Sequence, residues 1–309
     1  MFGIVTRLRA YRHFRRHHTR EVGRPPRLLR PVTLNEHILH RMLFDRDPRL
    51  KIVSDKIAVK ALIAEKAGPA YVVPLLGKWD RAEDIAWASL PSAFVLKPNQ
   101  TSGPFELIAN RDAADIPRLT AVAREWLDDS RPTGTDINYE WGYQGIKRQV
   151  MAEPLLRGAG GEPIGELSVF VFHGRSLLLR RFAGQKLTSG RRDSWFDRRG
   201  RRLAIASRKI ETAVLPLAHD MREEAVAVSD RVAAGFTHMR VDFYLTSEGL
   251  KIGELTPYSW GGYGVFVPPE TDALLGRLWQ NPDTSIFADY VPPSGRAGTA
   301  GVKVAHDRC

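Results

Sequence analysis

The segment that most constrains the fold of this chain is residues 240–256, RVDFYLTSEGLKIGELT. Two apolar stretches flank a short polar turn that ends in Gly249, a pattern typical of a β-hairpin. Each stretch nevertheless carries an acid, Asp242 in the first and Glu254 in the second. Acids inside apolar strands need a physical reason, because a charge that is removed from water must be paired.

The register of this hairpin determines where the two acids lie. A three-residue loop, 247–249, would place residue 246 opposite residue 250 and therefore Asp242 opposite Glu254. Side chains alternate between the two faces of a strand. The alternation groups the residues by face as Arg240, Asp242 and Tyr244 on the first strand, and Ile252, Glu254 and Thr256 on the second.

Two carboxylates that face each other at about 5 Å repel unless a positive charge lies between them. Mg²⁺ can supply that charge, because proteins commonly hold it with one or two carboxylates together with substrate phosphates. The alternative is that Asp242 pairs with Arg240 or with a distant lysine on a solvated face. A slip of one residue in the register would separate the two acids onto opposite faces and remove the metal site.

Composition and charge restrict the class of protein and its partners. Hydrophobic residues make up 43% and charged residues 26%, which is ordinary for a globular protein. The net charge of +11 is unusual and favours anionic partners such as phosphorylated substrates or an anionic membrane surface. The single cysteine, Cys309, excludes an internal disulfide, and we find neither a membrane-spanning run nor a signal peptide. We therefore expect a cytoplasmic enzyme.

Residues 1–31 form a basic leader, with nine arginines and one acid, Glu21. We expect it to be flexible, either as an arm that contacts an anionic membrane or another polyanion, or as a solvated segment without a partner. A globular domain should follow over residues 32–290, beginning with a helix capped by Thr33 and Glu36. Further helices are expected near 51–67, 216–234 and 270–280, and a disordered tail over 291–309. Because strands and helices interleave irregularly, the predicted fold class is α+β.

A candidate phosphate-binding segment lies in AFVLKPNQTSGPFELI. Lys97 ends a β-rich run, and the loop that follows contains small polar residues that could present backbone N–H groups to an anion: Asn99, Gln100, Thr101, Ser102 and Gly103. The segment matches neither the P-loop nor the dinucleotide-binding glycine pattern, and an ordinary surface turn is the alternative. Glu153 and Glu166 lie at strand ends, where they would either face water or accept hydrogen bonds from a ligand.

Taken together, these segments resemble the TupA-like branch of the ATP-grasp superfamily, which is named for teichuronopeptide synthesis. The resemblance covers residues 34–268 and depends on the order and spacing of several pieces: LNEHILHRMLFDRDPRL, VSDKIAVKALIAEKAG, VVPLLGKWD, LPSAFVLKPNQTSG, VMAEPLL, VFVFHGR, MRVDFYL and GELTPYSWGG. It implies an ATP-grasp fold in which two α+β lobes hold ATP between them. The phosphate-loop lobe would span about 90–155 and the metal-site lobe about 156–290.

The resemblance also implies roles for individual residues. Lys97 would bind an ATP phosphate or the adenine edge, and the loop from Gln100 through Thr101 and Ser102 to Gly103 would cover the phosphates. The remaining nucleotide contacts would come from Glu153 near adenine, Glu166 at the ribose and Lys56, which matches a family lysine. Asp242, Glu254 and Thr256 would hold Mg²⁺, and Arg240 would face the developing charge beside it.

Two departures from the superfamily pattern affect these roles. Thr256 stands where many ATP-grasp enzymes have an asparagine ligand, which weakens one metal contact; the TupA-like branch tends to have threonine there. Pro104 follows Gly103 in the phosphate loop and removes one backbone donor.

The implied activity is an ATP- and Mg²⁺-dependent carboxylate–amine ligase that forms an amide through an acyl phosphate, in bacterial surface polysaccharide or related peptide synthesis. Its substrates would be a carboxylate, such as a uronic acid or an amino acid, and an amine. The arginine-rich segment 191–202 would either receive the anionic substrate or form a solvated loop. The alternatives are an ATP-grasp phosphotransferase and a non-catalytic basic scaffold for polysaccharide assembly at the inner face of the membrane. We expect no specific nucleic-acid partner.

Overall fold

The computed structural model describes residues 4–184, 190–208 and 210–283. The predicted tail, 291–309, lies outside the described residues. The helices are α1 (Ile4–Val22), α2 (Leu34–Phe44), α3 (Arg49–Ser54), α4 (Val59–Ala67), α5 (Ile116–Leu127), α6 (Gly134–Ile137), α7 (His219–Val232) and α8 (Thr271–Gln280). The strands are β1 (Gly77–Trp79), β2 (Phe94–Pro98), β3 (Glu106–Ile108), β4 (Val150–Pro154), β5 (Gly165–Phe172), β6 (Arg175–Ala183), β7 (Arg192–Asp197), β8 (Arg202–Leu203), β9 (Ala206–Ser207), β10 (Glu211–Thr212), β11 (His238–Thr246), β12 (Gly249–Thr256) and β13 (Phe266–Val267).

Two sheets built mainly of antiparallel pairs carry the candidate site. The smaller sheet has the strand order β1-β4-β2-β3, and α5 packs its apolar side against β2 and β4. The larger sheet has the order β10-β7-β6-β5-β11-β12, and β8 pairs with the outer side of β7. This arrangement confirms the predicted α+β class. The smaller sheet spans 77–154 and the larger sheet begins at residue 165, while the exact division into two lobes stays a prediction.

The larger sheet is covered on both faces, which explains why its central strands are so apolar. One face packs against α3, α4 and α7 through aliphatic side chains such as Val169 and Val241. The other face packs in part against α1, α2 and α8 through Phe170 and Trp195. Polar side chains lie on the remainder of this second face, and they form the candidate site.

The local helix signals of the sequence are largely reproduced. The capping box at the start of α2 is confirmed, because the Thr33 hydroxyl accepts the Glu36 N–H and the Glu36 carboxylate accepts the Thr33 N–H. The single helix predicted over 51–67 is wrong. It is divided into α3 and α4 by the segment 55–58, in which Asp55 accepts a hydrogen bond from the Ile57 N–H. This break places Lys56 at a turn that faces the smaller sheet.

The basic leader is a docked helix, so the prediction of a flexible leader is wrong. Helix α1 buries Ala10, Phe14 and His18, which follow each other at intervals of four residues on one face. The segment after it is tied to α2 by an ion pair of 2.6 Å between Arg24 and the fully buried Glu36. Because arginines dominate the composition of this segment, composition alone does not reveal the narrow buried stripe. Among the described residues, no helix combines the length and hydrophobicity that crossing a bilayer requires.

Replacement of Phe14 by alanine tests whether α1 is part of the core. The Phe14 ring is fully buried and lies edge-on to Tyr139 at 6.1 Å. We expect the substitution to lower the free energy of unfolding by about 3–5 kcal/mol, because it removes a large buried side chain and leaves a cavity. Urea denaturation measures the change. The exposed Leu8 of the same helix is the control, and a cost as small for F14A as for L8A would contradict the docked position.

Two buried histidines predict that acid destabilises the fold. Burial, aided by His40, lowers the pKa of His37 to about 4, and burial also holds the pKa of His238 well below its ordinary value. The unfolded chain takes up these protons near pH 6.5, whereas the folded chain does not. Stability should therefore fall as the pH drops from about 6.5 toward 4, with His37 contributing about 1–2 kcal/mol once its partial exposure is discounted. Thermal denaturation followed across this pH range should show a shallower slope for His37→Gln and no change for the exposed His219→Gln.

Candidate active site

The turn of the β11–β12 hairpin is two residues long, 247–248, because Thr246 pairs directly with Gly249. The predicted three-residue loop is therefore wrong. A regular ladder continued from this shorter turn would place Asp242 opposite residue 253. Glu254 would then point to the opposite face of the sheet.

A β-bulge at Gly253 corrects the alignment. Ile252 pairs with the residue after Asp242, yet Asp242 itself pairs with Glu254, which leaves Gly253 as the extra residue. A Cβ atom at Gly253 would lie 2.5 Å from Cε2 of Tyr244, so the close approach requires glycine. The predicted opposition of the two acids is confirmed. The prediction that Ile252 shares their face is wrong, because the bulge turns Ile252 into the core.

The register carries the acid pair into a row of side chains that crosses the sheet. The row contains aromatic, charged and polar groups. In the order of the strands toward the β12 edge they are Trp195 of β7, Arg180 of β6, Ser168 of β5, Asp242 of β11 and Glu254 of β12. The acid pair therefore lies in the same row as a buried arginine and an aromatic side chain.

Among the described residues, side chains of three neighbours donate hydrogen bonds to Asp242. Arg240 donates two hydrogen bonds to its carboxylate, from Nε at 2.8 Å and from Nη2 at 2.6 Å. The hydroxyls of Ser168 and Thr256 donate at 2.5 Å and 3.2 Å. Burial opposes the charge of Arg240, but Asp242 outweighs it and raises the pKa of the guanidinium. The pairing with Arg240 that the sequence offered as an alternative is thus present, in a largely buried setting rather than on a solvated face.

Glu254 differs from Asp242 in having no partner of this kind. It is half-buried, and no group in the described part of the chain donates a hydrogen bond to it. Asp242, Glu254 and the Thr256 hydroxyl offer oxygen ligands on one side of the hairpin, which suits Mg²⁺ with phosphate oxygens completing its shell. No cluster of three or more metal-ligating side chains of the His, Cys, Asp and Glu type occurs among the described residues. The residues present fit a metal that is held jointly by protein and nucleotide.

On the smaller sheet, a buried cluster of opposite charges surrounds Glu153. Its carboxylate pairs with Lys97 Nζ at 2.6 Å and with Lys60 Nζ at 2.7 Å, and Lys60 also donates to the Val73 carbonyl. Burial disfavours its charge, but the two lysines hold the pKa of Glu153 below its ordinary value. Adjacent antiparallel strands β2 and β4 bring Lys97 and Glu153 together, and α4 supplies Lys60.

The role of this cluster is open to a direct test by Glu153→Gln. Removal of the carboxylate charge leaves two buried ammonium groups without a counter-charge, and we expect a loss of about 3–5 kcal/mol in the free energy of unfolding. Glu106→Gln is the matched control, because Glu106 pairs with the solvent-exposed Arg118, whose Nη2 lies 2.7 Å from Glu106 Oε2. This variant should therefore lose less than about 1 kcal/mol in the free energy of unfolding. Urea denaturation of both variants gives the comparison. Equal losses would contradict a buried, coupled cluster.

The loop after Lys97 is anchored from both sides. Lys56 Nζ donates to the Thr101 carbonyl, and the Asn99 side chain donates to Asp55 at 3.0 Å and accepts the Gln149 N–H at 2.8 Å. Gln100 and Thr101 are buried, whereas Ser102 and Gly103 are exposed at the tip. The structure therefore brings Lys56 to the predicted phosphate loop.

Glu166 lies on the same face of the larger sheet as Tyr244, which is its cross-strand neighbour. It pairs with Arg191 at 2.8 Å, and Arg191 belongs to the arginine-rich segment. Residues 192–197 of that segment form β7 with Trp195 fully buried, so the expectation of a solvated loop is wrong for this part. Burial raises the pKa of Tyr244, and the charge of Glu153 on the smaller sheet raises it further.

An aromatic wall borders the acid pair. Trp260 stacks on Phe170 at 5.4 Å and lies 6.2 Å from Trp195, and Arg240 lies 5.9 Å above its ring. Arg180 is buried beside this wall, where it pairs with Asp193 at 2.7 Å. The segment after Thr256, predicted to form a pocket wall, thus contributes an aromatic surface next to two guanidinium groups.

Sequence reasoning missed three residues that contact the predicted site. Lys60 follows Lys56 by four residues, but the break at residues 55–58 means that the two lysines do not share one helix face. Ser168 and Arg180 join the site only through the registers of β5 and β6. Their positions along the chain hold no signal for this.

A fourth missed residue, Glu140, lies between α6 and β4. It is only 8% exposed, and burial together with the charge of Glu254 raises the pKa of its carboxyl to about 8. Among the described residues no group donates a hydrogen bond to it. The candidate site therefore contains two carboxyl groups without hydrogen-bond donors, Glu140 and Glu254.

Two mainly antiparallel sheets, one with a lysine–carboxylate cluster and the other with an opposed acid pair, thus form the candidate site. The family model of TupA-like ATP-grasp proteins matches residues 36–280. The match covers most of the chain, which therefore belongs to the TupA-like ATP-grasp family and has the ATP-grasp fold.

Solved structures of two ATP-grasp ligases are similar to this chain. The ligase PsnB, complexed with a phosphomimetic variant of its minimal precursor, Mg and ADP, is 14% identical, with 78% of this chain and 60% of PsnB covered and a TM-score of 0.40. The D-alanine–D-alanine ligase of Bacillus anthracis in complex with ATP is 13% identical. The match covers 67% of this chain and 54% of that ligase, with a TM-score of 0.40. The chain thus spans little more than half of these ligases, and the likeness carries no argument about function. No curated protein matches the chain.

Proposed function

We propose that this protein is an ATP- and Mg²⁺-dependent carboxylate–amine ligase. The observation that carries the proposal is the opposed pair Asp242–Glu254, which a β-bulge aligns next to Arg240. The lysine–carboxylate cluster of the smaller sheet lies close enough for Glu153 to affect the ionisation of Tyr244 on the larger one. Membership in the TupA-like ATP-grasp family supports ATP-dependent ligation in general.

Ligation requires activation, because the oxygen of a free carboxylate is a poor leaving group. Phosphoryl transfer from ATP to the carboxylate would give an acyl phosphate and ADP. Attack of the amine nitrogen on the acyl carbon would then form the amide and release phosphate together with a proton. The protein would contribute mainly by positioning the reactants and by neutralising charge.

The residues of the larger sheet would act on the transferred phosphoryl group. Asp242, Glu254 and Thr256 would hold Mg²⁺, which neutralises charge on the phosphates when it is bound. Arg240 is already oriented by its bidentate pair with Asp242 and would stabilise the developing negative charge from a fixed position. Glu166 would turn from Arg191 to the ribose hydroxyls.

The residues of the smaller sheet would bind the rest of the nucleotide. Lys97 would contact a phosphate or the adenine edge, and Glu153, paired with it, would lie near adenine. The loop 99–103 would cover the phosphates, with Lys56 supporting it through the Thr101 carbonyl. The exposed tip at Ser102 and Gly103 leaves backbone and hydroxyl groups free to turn toward a phosphate.

The substrate class that we propose follows from the family and from the charge of the site. A uronic acid or an amino acid would supply the carboxylate and a second amino compound the amine, in surface polysaccharide or related peptide synthesis. An anionic carboxylate would enter beside Arg180 and Arg240, and the aromatic surface of Trp260 would suit a sugar ring.

A screen of carboxylates and amines for Mg·ATP-dependent product formation tests the proposal. Ligation predicts ADP rather than AMP, and added hydroxylamine should trap the acyl phosphate as a hydroxamate. A phosphotransferase would release ADP without hydroxamate. ADP formation that survives both Asp242→Asn and Glu254→Gln would overturn the assignment of this hairpin.

We also propose that helix α1 contacts an anionic membrane at the cytoplasmic face. Its buried stripe fixes the helix, so its outer face is a rigid surface that bears five arginines: Arg9, Arg12, Arg15, Arg16 and Arg20. At the start of the same helix Ile4 is 78% exposed and Leu8 54% exposed. Aliphatic side chains beside arginines suit an interface where acyl chains meet anionic headgroups.

Vesicle co-sedimentation tests this contact. The full chain should bind phosphatidylcholine vesicles that contain phosphatidylglycerol, bind plain phosphatidylcholine weakly, and lose binding in high salt. Arg12→Glu with Arg16→Glu should weaken binding by about tenfold or more, since each arginine near the surface contributes about 1 kcal/mol. The exposed Arg175 and Arg202, changed in the same way, are the control. A basic scaffold without enzymatic activity would show the vesicle binding but no ADP formation with any substrate pair.

A further inference from the structure

Glu140 is a buried carboxyl group that no step of the proposed ligation uses. An unpaired carboxylate costs several kcal/mol to bury, so folded proteins keep very few of them. Glu140 is held within the fold by its backbone, whose N–H donates to the Thr135 carbonyl at 3.0 Å. Its side chain, in contrast, has no donor among the described residues. Burial therefore favours the neutral form of this carboxyl, and the fold holds it at a fixed place against the turn that follows β12.

Two turns in unusual conformations surround this carboxylate. Its Oε1 atom lies 3.7 Å from the position of a Cβ on Gly261, so the carboxylate packs against the turn that follows β12. Trp260 in that turn has φ +53°, and Tyr139, which precedes Glu140, has φ +56°. Bulky residues rarely adopt this left-handed region, and where they do so the strain often marks a functional site.

We propose that Glu140 is the ammonium-binding subsite for the amine substrate. This inference rests on the proposed ligase function and names the residue that would receive its second substrate. The amine must meet the acyl phosphate beside Asp242 and Glu254. Glu140 packs against the turn that carries Trp260, and Arg240, which is paired with Asp242, lies 5.9 Å from the Trp260 ring. Burial raises the pKa of the free carboxyl, whereas a bound primary ammonium ion would supply both the hydrogen-bond donors that it lacks and the positive charge that favours its ionised form.

The surroundings favour an ammonium ion over a second Mg²⁺. Mg²⁺ demands a nearly octahedral shell of oxygen ligands, whereas Glu140 lies against a turn that carries the aromatic residue Trp260. The phenols of Tyr143 and Tyr263 are buried close enough for the Glu140 charge to contribute to their raised pKa values. Aromatic rings next to a carboxylate stabilise organic cations.

A binding experiment tests the subsite without knowledge of the natural substrate. The full chain, loaded with Mg²⁺ and a non-hydrolysable ATP analogue, is titrated with methylammonium chloride while tryptophan fluorescence is recorded, since Trp260 adjoins the site. Tetramethylammonium chloride at equal ionic strength is the reference, because it cannot donate hydrogen bonds. We expect saturable binding of methylammonium that Glu140→Gln weakens by about tenfold or more and that the exposed Glu162→Gln leaves unchanged.

A second measurement separates this subsite from the rest of the ligase. Hydroxylamine is largely uncharged near neutral pH and does not need an ammonium subsite, so Glu140→Gln should keep hydroxamate formation within about twofold. Amide formation with a primary amine should fall by about tenfold or more through a higher KM, and affinity for the Mg·nucleotide should not change. Absence of hydroxamate with the unaltered protein would count against the ligase function instead of the subsite.

Several outcomes would overturn the assignment of Glu140. Equal responses to methylammonium and tetramethylammonium would show that no subsite for a primary ammonium exists. Loss of Mg·nucleotide affinity in Glu140→Gln would place Glu140 at the metal site. If that variant does not fold, Glu140→Asp keeps the charge but shortens the side chain, and full methylammonium affinity in Glu140→Asp would likewise contradict a direct contact.

Discussion

Replacing Asp242 by asparagine or Glu254 by glutamine is expected to lower Mg·ATP-dependent ADP formation by about a thousandfold or more. Loss of a metal ligand removes several kcal/mol of stabilisation from a transition state rich in negative charge, and each 1.4 kcal/mol is about tenfold in rate. Both substitutions nearly preserve side-chain volume, so packing of the hairpin should persist. A coupled assay of ADP release, with any substrate pair found active, measures the loss.

The two variants should nevertheless differ in stability. Asp242→Asn removes the counter-charge of the buried Arg240 and should lower the free energy of unfolding by about 3–5 kcal/mol. Glu254→Gln removes a carboxylate that accepts no hydrogen bond from the described residues and that faces a like charge, so stability should stay equal or rise. Urea denaturation distinguishes these outcomes, and Glu248→Gln in the exposed turn is the control for both measurements. Equal destabilisation by the two changes would contradict the asymmetry of the pair.

Gly253→Ala is expected to be the most damaging single-methyl change in the hairpin. The added Cβ would lie 2.5 Å from a ring atom of Tyr244, and overlap of this kind forces side-chain or backbone shifts that cost about 1–3 kcal/mol. If the hairpin relieves this overlap by losing the bulge, Glu254 moves away from Asp242, and binding of the Mg·nucleotide should weaken as well. Urea denaturation and nucleotide titration measure the two effects. Gly134→Ala, at an exposed position with no atom within 4 Å, is the control.

A double-mutant cycle shows whether the bulge acts through Tyr244. Tyr244→Ala removes the ring that a Cβ at position 253 would meet, so the cost of Gly253→Ala should shrink by about 1 kcal/mol or more in that background. An unchanged cost would mean that the backbone of the bulge, and not the tyrosine ring, requires glycine.

The hairpin shows which structural features can be predicted from sequence patterns and which cannot. The alternation of apolar residues and the acids at Asp242 and Glu254 were sufficient to predict two strands and their opposed charges. The predicted route was nevertheless wrong, because a turn that is one residue shorter is compensated by a bulge at Gly253. The sequence does contain a glycine there, but its effect depends on a ring nine positions earlier and is not a local property.

The leader shows a second limit of the same kind. Composition made residues 1–31 look solvated, because nine arginines outweigh a few apolar side chains. Burial of Phe14 and His18 depends on α2 and on the rings of Tyr139 and Tyr263, which come together only in the folded chain. Periodicity at four-residue intervals was present in the sequence, but without a known partner surface it did not distinguish a docked helix from a free one.

By itself, the sequence determined the α+β class, the capped start of α2, most strands, the family, and the two acids that face each other. These features depend on local periodicity, on turn and cap chemistry, and on motifs with a defined order. Only the tertiary structure decided that Lys60 pairs with Glu153 and that Ser168 and Arg180 join the row of Asp242. It also decided that Glu140 is buried within reach of the charge of Glu254, with no hydrogen-bond donor among the described residues. Each of these contacts joins residues far apart in the chain, and their energies depend on burial and on neighbouring charges, which exist only after the sheets have formed.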